Sequence, residues 1–307
     1  MKQIRSYLLV LSILFAAVTS HAQSLYVGEF NIRYDNVKDA EAGNGWGVRC
    51  PMVCNILKVE DFDIFGAQEV LHNQLEDLLA ALPGYAYIGV GRTDGKTEGE
   101  YVPIFYRKNR IKCLDSGTFW LSETPEVPGS KGWDAKYPRI CSWGRFKDMK
   151  TGKKFWMFNL HMDHRGIEAR MQAAKLVMER IGNMCDKEQY ILLGDFNVDQ
   201  YNPIYPMMME SGLFVDTHDA AAVRFAPTGS MNYFKVDFKT DKRIDHVLVS
   251  NQFEVLDYKV MTYSYWSETE PSADAMAEIK AGKEGVVVHK QRLPSDHYPI
   301  GIHLNLK

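Results

Sequence analysis

The sequence predicts an α/β fold with a large share of sheet, on three observations. Short runs rich in aromatic and β-branched residues recur along the chain, amphipathic helical stretches lie between them, and several of the runs stop at an acid, an amide or a histidine. No low-complexity segment or internal repeat interrupts the alternation, and no stretch reads as a linker between domains.

The first 22 residues are set apart. Lys2 and Arg5 precede an apolar stretch from Leu8 to Val18, and Ser20 and Ala22 follow at the positions a signal peptidase reads. The stretch is short of the ~20 residues that span a bilayer, and no cysteine follows the small residues to take a lipid. The expectation is a signal peptide over 1–22, then a single domain over 23–307, secreted to the periplasm or outside the cell, monomeric and without a transmembrane segment; an uncleaved anchor is the alternative.

Within the mature chain, "LYVGEF" (25–30) reads as a strand and "PMVCNILKVED" (51–61) as a helix with Pro51 at its start. "DIFGAQEV" (63–70) is a short apolar run ending in an acid. "NQLEDLLAAL" (73–82) is a helix stopped by Pro83-Gly84. "YAYIGV", "YVPIFYR" and "FWMFNLHM" (155–162) are strand-like. Ile167, Met171, Ala174, Met178 and Ile181 recur at helical spacing over 167–184. "YILLGDF" (190–196), "RIDHVLVS" (243–250) and "IGIHLNL" (300–306) are the last strands. Residues 122–138 and 267–285 read as long loops.

Composition limits the function. With 46% apolar residues the chain can build a sizeable core. Without Lys2 and Arg5 it holds 34 basic residues against 39 acids, a balance that argues against coating nucleic acid through bulk charge but leaves open a metal site that handles phosphate. Five cysteines leave at least one thiol unpaired, and Cys50 and Cys54 lack the further ligands a metal site needs.

The informative feature is where the strands end. "GEFNIR" ends at Asn31, "FGAQEV" at Glu69, "FNLHMDH" at His161, Asp163 and His164, "LLGDFN" at Asp195 and Asn197, "RIDHV" at Asp245, and "LPSDHYPI" carries Asp296 and His297. Strand ends of one sheet-rich fold converge on a rim, where chemistry is usually held. Carboxylate and amide oxygens suit a hard cation, Mg2+ or else Mn2+ or Ca2+, whereas the close His and Cys spacing of zinc sites is missing. Histidines beside carboxylates serve as acid, base or phosphate donor.

In this order, "EFNIR", "AQEV", "NLHMDH", "GDFN", "RIDHVLVS" and "SDHYPI" resemble the endonuclease/exonuclease/phosphatase superfamily, across nearly the whole mature chain. The resemblance implies a four-layer α/β sandwich, with two facing mixed β-sheets, outer helices and the site at one end. By motif it implies Glu69 as principal metal ligand with Asn31 and Asp296 near it, and Asp195 as the base that deprotonates water. Asn197 would hold the phosphate or the base, His297 would contact the phosphate with Asp245 as partner, and His161 would be a second phosphate-facing imidazole. His161 places the chain nearer the deadenylase, sphingomyelinase and phosphatase branches than the abasic endonucleases, in an exported bacterial branch. Arg139 and Trp143, in "YPRICSWGRF", would lie at the rim, with Arg139 a phosphate clamp. His164 is expected to cap or pair near the following helix, and Tyr233, Phe234, Tyr263, Tyr265 and Trp266 to pack in core or loops rather than line a substrate face.

The expected function is a secreted, divalent-metal-dependent hydrolase of phosphate esters acting by in-line water attack. A phosphodiester, in nucleic acid or a phospholipid head group, is the first expected substrate. A phosphomonoester of a small sugar or polyol is the second, and a non-catalytic binding protein on the same scaffold is the alternative of another class.

Overall fold

The computed structural model describes residues 24–268, 273–282 and 289–306; the expected signal peptide lies outside them. Among the described residues the strands are β1 Leu25–Asn31, β2 Ile64–Gln68, β3 Tyr85–Ile88, β4 Ile104–Arg107, β5 Ile111–Trp120, β6 Ile140–Asp148, β7 Lys154–His161, β8 Gln189–Asp195, β9 Val215–Asp216, β10 Val223–Phe225, β11 Asp245–Val249, β12 Phe253–Val260, β13 Tyr265–Glu268, β14 His289–Arg292 and β15 Ile300–Leu306. The helices are α1 Val37–Glu41, α2 Trp46–Glu60, α3 His72–Ala81, α4 Ile167–Cys185, α5 Ile204–Glu210, α6 Thr217–Ala220 and α7 Ala273–Lys280.

Two mixed sheets stack face to face. One has the order β10-β12-β15-β1-β2-β4-β3, with β1 parallel to β2; the other has β5-β6-β7-β8-β11-β9, with β7 parallel to β8. Period-two alternation assigns each side chain to a face. Val27, Ile64, Met157, Ile191, Leu193, Val247 and Ile302 point inward and form the core between the sheets. Phe30, Phe65 and Ala67 point outward onto Val53 and Leu57 of α2 and Leu75 and Leu78 of α3. Phe158, Leu160 and Leu192 point outward onto Ala174, Val177 and Ile181 of α4. The result is helix, sheet, sheet and helix, the four-layer α/β sandwich that the resemblance implies.

Three local expectations are corrected. α2 begins at Trp46, so Pro51 lies inside it rather than at its start. Buried Arg49 fixes the extra turn by donating to the carbonyls of Ile32, Arg33, Asn44 and Pro294 at 2.7–3.0 Å. Residues 267–285 are not simply a loop: β13 and β14 pair as a hairpin and α7 lies between them, while 269–272 and 283–288 lie outside the described residues. Trp143 is not at the rim; it sits within β6, with its ring 5.6 Å from that of Trp156.

Candidate active site

The strand register brings the expected residues together. His161 stands opposite Asp195 across the β7–β8 pair, and Asp195 opposite Asp245 across β8–β11. All three close or open their strands on the inward face, in line with Met157, Ile191 and Val247 below them. Asn31 ends β1 on the facing sheet with the same parity. The two sheets come close here. A Cβ at Gly66 would sit 2.3 Å from Leu193 of the facing sheet, and within the second sheet one at Gly194 (φ +136°) would sit 2.0 Å from the Leu160 carbonyl oxygen, so both positions require glycine.

Two residues turn inward through left-handed backbone, Glu69 at φ +59° and Asn197 at φ +49°, a conformation that costs energy and clusters at functional sites. Glu69, just past β2, accepts the Asn31 side-chain amide at 3.2 Å and the Tyr34 N–H at 3.2 Å. The Asn31 amide also reaches Asp195 at 3.1 Å, joining the two sheets. The Asn197 N–H donates to Asp195 at 2.8 Å, and its side chain donates to the Met162 carbonyl at 3.0 Å, so Asn197 braces Asp195. His161 Nε2 lies 3.4 Å from Asp195. His297 Nδ1 lies 2.8 and 3.0 Å from the Asp245 oxygens, forming the expected pair. Asp296 joins the cluster through Arg33, whose guanidinium is 3.5 Å from it and 3.9 Å from Glu69.

Arg139 is buried, and its partners differ on each nitrogen. Nε donates to Asp163 at 3.3 Å, one terminal nitrogen lies 3.0 Å from His164 Nδ1, and the other has no partner. Asp163 is a structural node. It also accepts the N–H groups of Lys136, Tyr137, Arg165 and Gly166. Burial opposes its charge, but these backbone donors and Arg139 hold its carboxyl far below the usual range. Of the aromatic residues, Tyr233 and Trp266 are exposed and Phe234 packs on the core edge beneath Arg49.

The sequence reading missed Glu100, Arg92 and Arg33. Glu100 takes both terminal nitrogens of Arg92, at 2.8 and 2.7 Å, and lies 3.8 Å from His161 Nδ1. Both Arg92 and Glu100 lie in "GRTDGKTEGE", where Gly91, Gly95 and Gly99 fold a tight loop that returns the acid to the arginine; the Arg92 N–H donates to the Glu100 carbonyl at 3.1 Å.

Burial and mutual repulsion dominate the electrostatics. Burial and the Asp245 carboxylate push Asp195 up to about 7. Burial also raises Asp296 and Glu100, with Glu69 adding to each. Burial and then Asp245 raise Glu29, whose two oxygens have no partner beneath the site. For His297, burial works against the charged form, but Asp245, Asp296 and Asp195 win and raise it well above the ordinary value. Burial and the Arg139 and Arg92 guanidiniums lower His161. One imidazole is thus held charged and the other neutral.

A hard cation fits this donor set. Glu69, His161 and Asp195 are buried and present ligand atoms within 4.8 Å of one another, two of the three being carboxylates. All five cysteines are free thiols, and no described helix is long and apolar enough to cross a membrane.

Residues 30–297 match the sequence model of the endonuclease/exonuclease/phosphatase family. A protein of that family from Bacteroides thetaiotaomicron has a similar structure, 44% identical, with a TM-score of 0.85 over 92% of this chain and 98% of its own. A structure described as a mannosyl-6-phosphatase of Bacteroides thetaiotaomicron VPI-5482 is also 44% identical, with a TM-score of 0.84 over 92% of this chain and all of its own. Among curated sequences, an uncharacterized protein of Acanthamoeba polyphaga mimivirus is 32% identical over 162 residues, a match covering 50% of this chain and 60% of the relative; for a second mimivirus protein the match covers 26% of its length.

Proposed function

The chain belongs to the endonuclease/exonuclease/phosphatase family, whose members are phosphoesterase hydrolases, and from that premise we propose that it is a secreted, divalent-metal-dependent phosphatase acting on a sugar phosphomonoester. The observation that carries the hydrolytic reading is the row His161, Asp195 and Asp245 across three adjacent strands, with Glu69 facing it from the other sheet and His297 paired to Asp245.

In this reading Glu69, with Asn31 and Asp296 beside it, would hold a divalent cation, whose chemistry when bound would be to offset negative charge at the reacting phosphate. Asp195, fixed by the Asn197 N–H and the Asn31 amide, orients the attacking water and takes its proton at a carboxylate oxygen as the water oxygen bonds to phosphorus, the bond from phosphorus to the sugar oxygen breaks, and that oxygen leaves with a proton from solvent. His297, kept charged by Asp245, donates to a non-bridging oxygen, and His161 donates to a second. The free N–H groups of Arg139 complete the phosphate contacts.

Two observations favour a monoester over the diester that the sequence reading put first. Arg33, Arg92 and Arg139 gather around the acid cluster, suiting the extra negative charge of a monoester, and a 44% identical relative is described as a mannosyl-6-phosphatase. Secretion rests on the 1–22 leader; N-terminal sequencing of exported protein should begin at Gln23.

The test is a screen of the protein with Mg2+ against hexose 6-phosphates, nucleotides, DNA, RNA, inositol phosphates and sphingomyelin. Hexose 6-phosphate should be the best substrate, chelation should abolish turnover, and Glu69→Ala should lower kcat/KM by about 10^3 or more. Turnover that survives Glu69→Ala with metal present contradicts the assigned site. A preference for nucleic acid or lipid restores the diester reading.

A further inference from the structure

Beside the phosphate clamp stands an aromatic side chain that the mechanism above does not use. Tyr137 is 44% exposed, and its hydroxyl has no partner among the described residues. Its backbone is fixed twice. Pro138 restricts it to extended conformation, and its N–H donates at 3.3 Å to the same Asp163 oxygen that takes Nε of Arg139. Tyrosine and guanidinium therefore hang from one buried carboxylate oxygen, which sets the spacing between whatever each of them touches. Arg139 in turn reaches His164, whose ring lies near-parallel to that of Tyr137 with centroids 6.1 Å apart.

Resting on the phosphatase reading, we infer that Tyr137 recognises the leaving group, and that it selects a hydroxyl-bearing sugar ring over a nucleobase. A base needs an open aromatic face to stack on. The surroundings of this ring are already taken: the Arg92 guanidinium lies 5.3 Å and the Lys136 ammonium 5.8 Å from its centroid, and the His164 imidazole lies alongside. Cations hold such positions against a π face with useful strength, and a stacking base would have to displace them. The Tyr137 hydroxyl has no partner among the described residues, and as a group that both donates and accepts it matches a sugar hydroxyl. Arg92 is locked by Glu100 at 2.8 and 2.7 Å, which keeps the cation over the ring rather than free to move aside.

Steady-state kinetics of Tyr137→Phe and Tyr137→Ala with mannose 6-phosphate, AMP and 4-nitrophenyl phosphate test this. Loss of one neutral hydrogen bond should raise KM for mannose 6-phosphate about fivefold in Tyr137→Phe with a smaller change in kcat, so that the preference for the hexose over 4-nitrophenyl phosphate falls. Tyr137→Ala should lower that preference at least as far. Equal losses on all three substrates, an unchanged hexose preference in Tyr137→Phe, or a loss confined to AMP in Tyr137→Ala would each overturn the inference. Should the wild type hydrolyse none of them, the phosphatase reading fails, and calorimetry then decides on Tyr137. Mannose 6-phosphate must bind more tightly than inorganic phosphate, and Tyr137→Phe must remove the difference; no difference in the wild type overturns the assignment.

Discussion

Asp195 meets two demands that conflict. As a base it must sit next to the reacting water, and as a buried acid beside Asp245 it opposes folding when ionised. Its proton affinity is raised in the folded state to about 7, against an ordinary carboxylate value of about 3.9. The folded protein therefore holds this proton more tightly than the unfolded chain. Its contribution is fully present below pH ~4 and is lost as pH rises through about 7. Asp195→Asn should melt several degrees above wild type at pH 8 in metal-free buffer, with the gap shrinking toward pH 5, while kcat falls by about 10^3. Calorimetric scans at both pH values and initial rates check this; an equal or lower melting temperature at pH 8 would remove the repulsion argument. At this scale much of the site was legible. A buried strand that starts or stops at a carboxylate or an amide contradicts its own apolar pattern, so Asn31, Asp195 and Asp245 stand out. Glu100 and Arg92 do not. They belong to a glycine-rich loop, where charged residues are ordinary, and only the folded loop shows that they meet.

Elements show how the fold supports those residues at a distance. The segment 133–139 is tied to the start of α4 through Asp163, which gathers four backbone N–H groups and the Arg139 guanidinium. Asp163→Ala strands a buried guanidinium and several donors, and should cost about 3 kcal/mol by urea unfolding. KM should rise more than kcat falls, because Arg139 and Tyr137 lose their shared anchor; a purely structural role would leave KM unchanged. The interface of β11 with α5 carries a pH response of its own. His246 donates from Nε2 to the Val198 carbonyl at 2.8 Å, lies 5.3 Å from the Tyr205 ring, and has its other nitrogen buried without a partner. Burial lowers its proton affinity, so the unfolded chain takes the proton first and stability is lost as pH falls below ~6.5. Between pH 7.5 and 5.5, His246→Gln should lose about 1 kcal/mol less than wild type. Identical slopes for the two proteins would mean that His246 does not bear on acid stability. Elements were legible where periodicity was strong, as in α4 or β8. β5 escaped notice because it is an edge strand with mostly solvent-facing polar residues, and the early start of α2 depends on Arg49 contacts with residues up to 245 positions away.

Across the whole molecule, the site closes the chain on itself. Asn31, near the start of the described chain, accepts through its carbonyl the hydroxyl of Ser295, next to Asp296 and His297 near the end. The facing sheets meet at the Asn31 amide, which touches Glu69 on one side and Asp195 on the other. A cation placed among these acids would therefore neutralise repulsion between the two sheets as well as serve chemistry, which couples metal binding to global stability. Saturating Mg2+, at about 100 times its Kd, should stabilise the fold by about 2.7 kcal/mol, visible as a rise of a few degrees in melting temperature. Glu69→Ala should melt near the metal-free wild type and lose the response, and Asp195→Asn should retain part of it because Glu69 remains. Ca2+ should substitute in the melting assay, since the donors are oxygen-rich and make no close His and Cys set. A melting temperature indifferent to Mg2+, Mn2+ and Ca2+ at millimolar concentration would show that the acid cluster is held by its own arginines, and would turn the assignment of Glu69 from metal ligand to partner of Arg33.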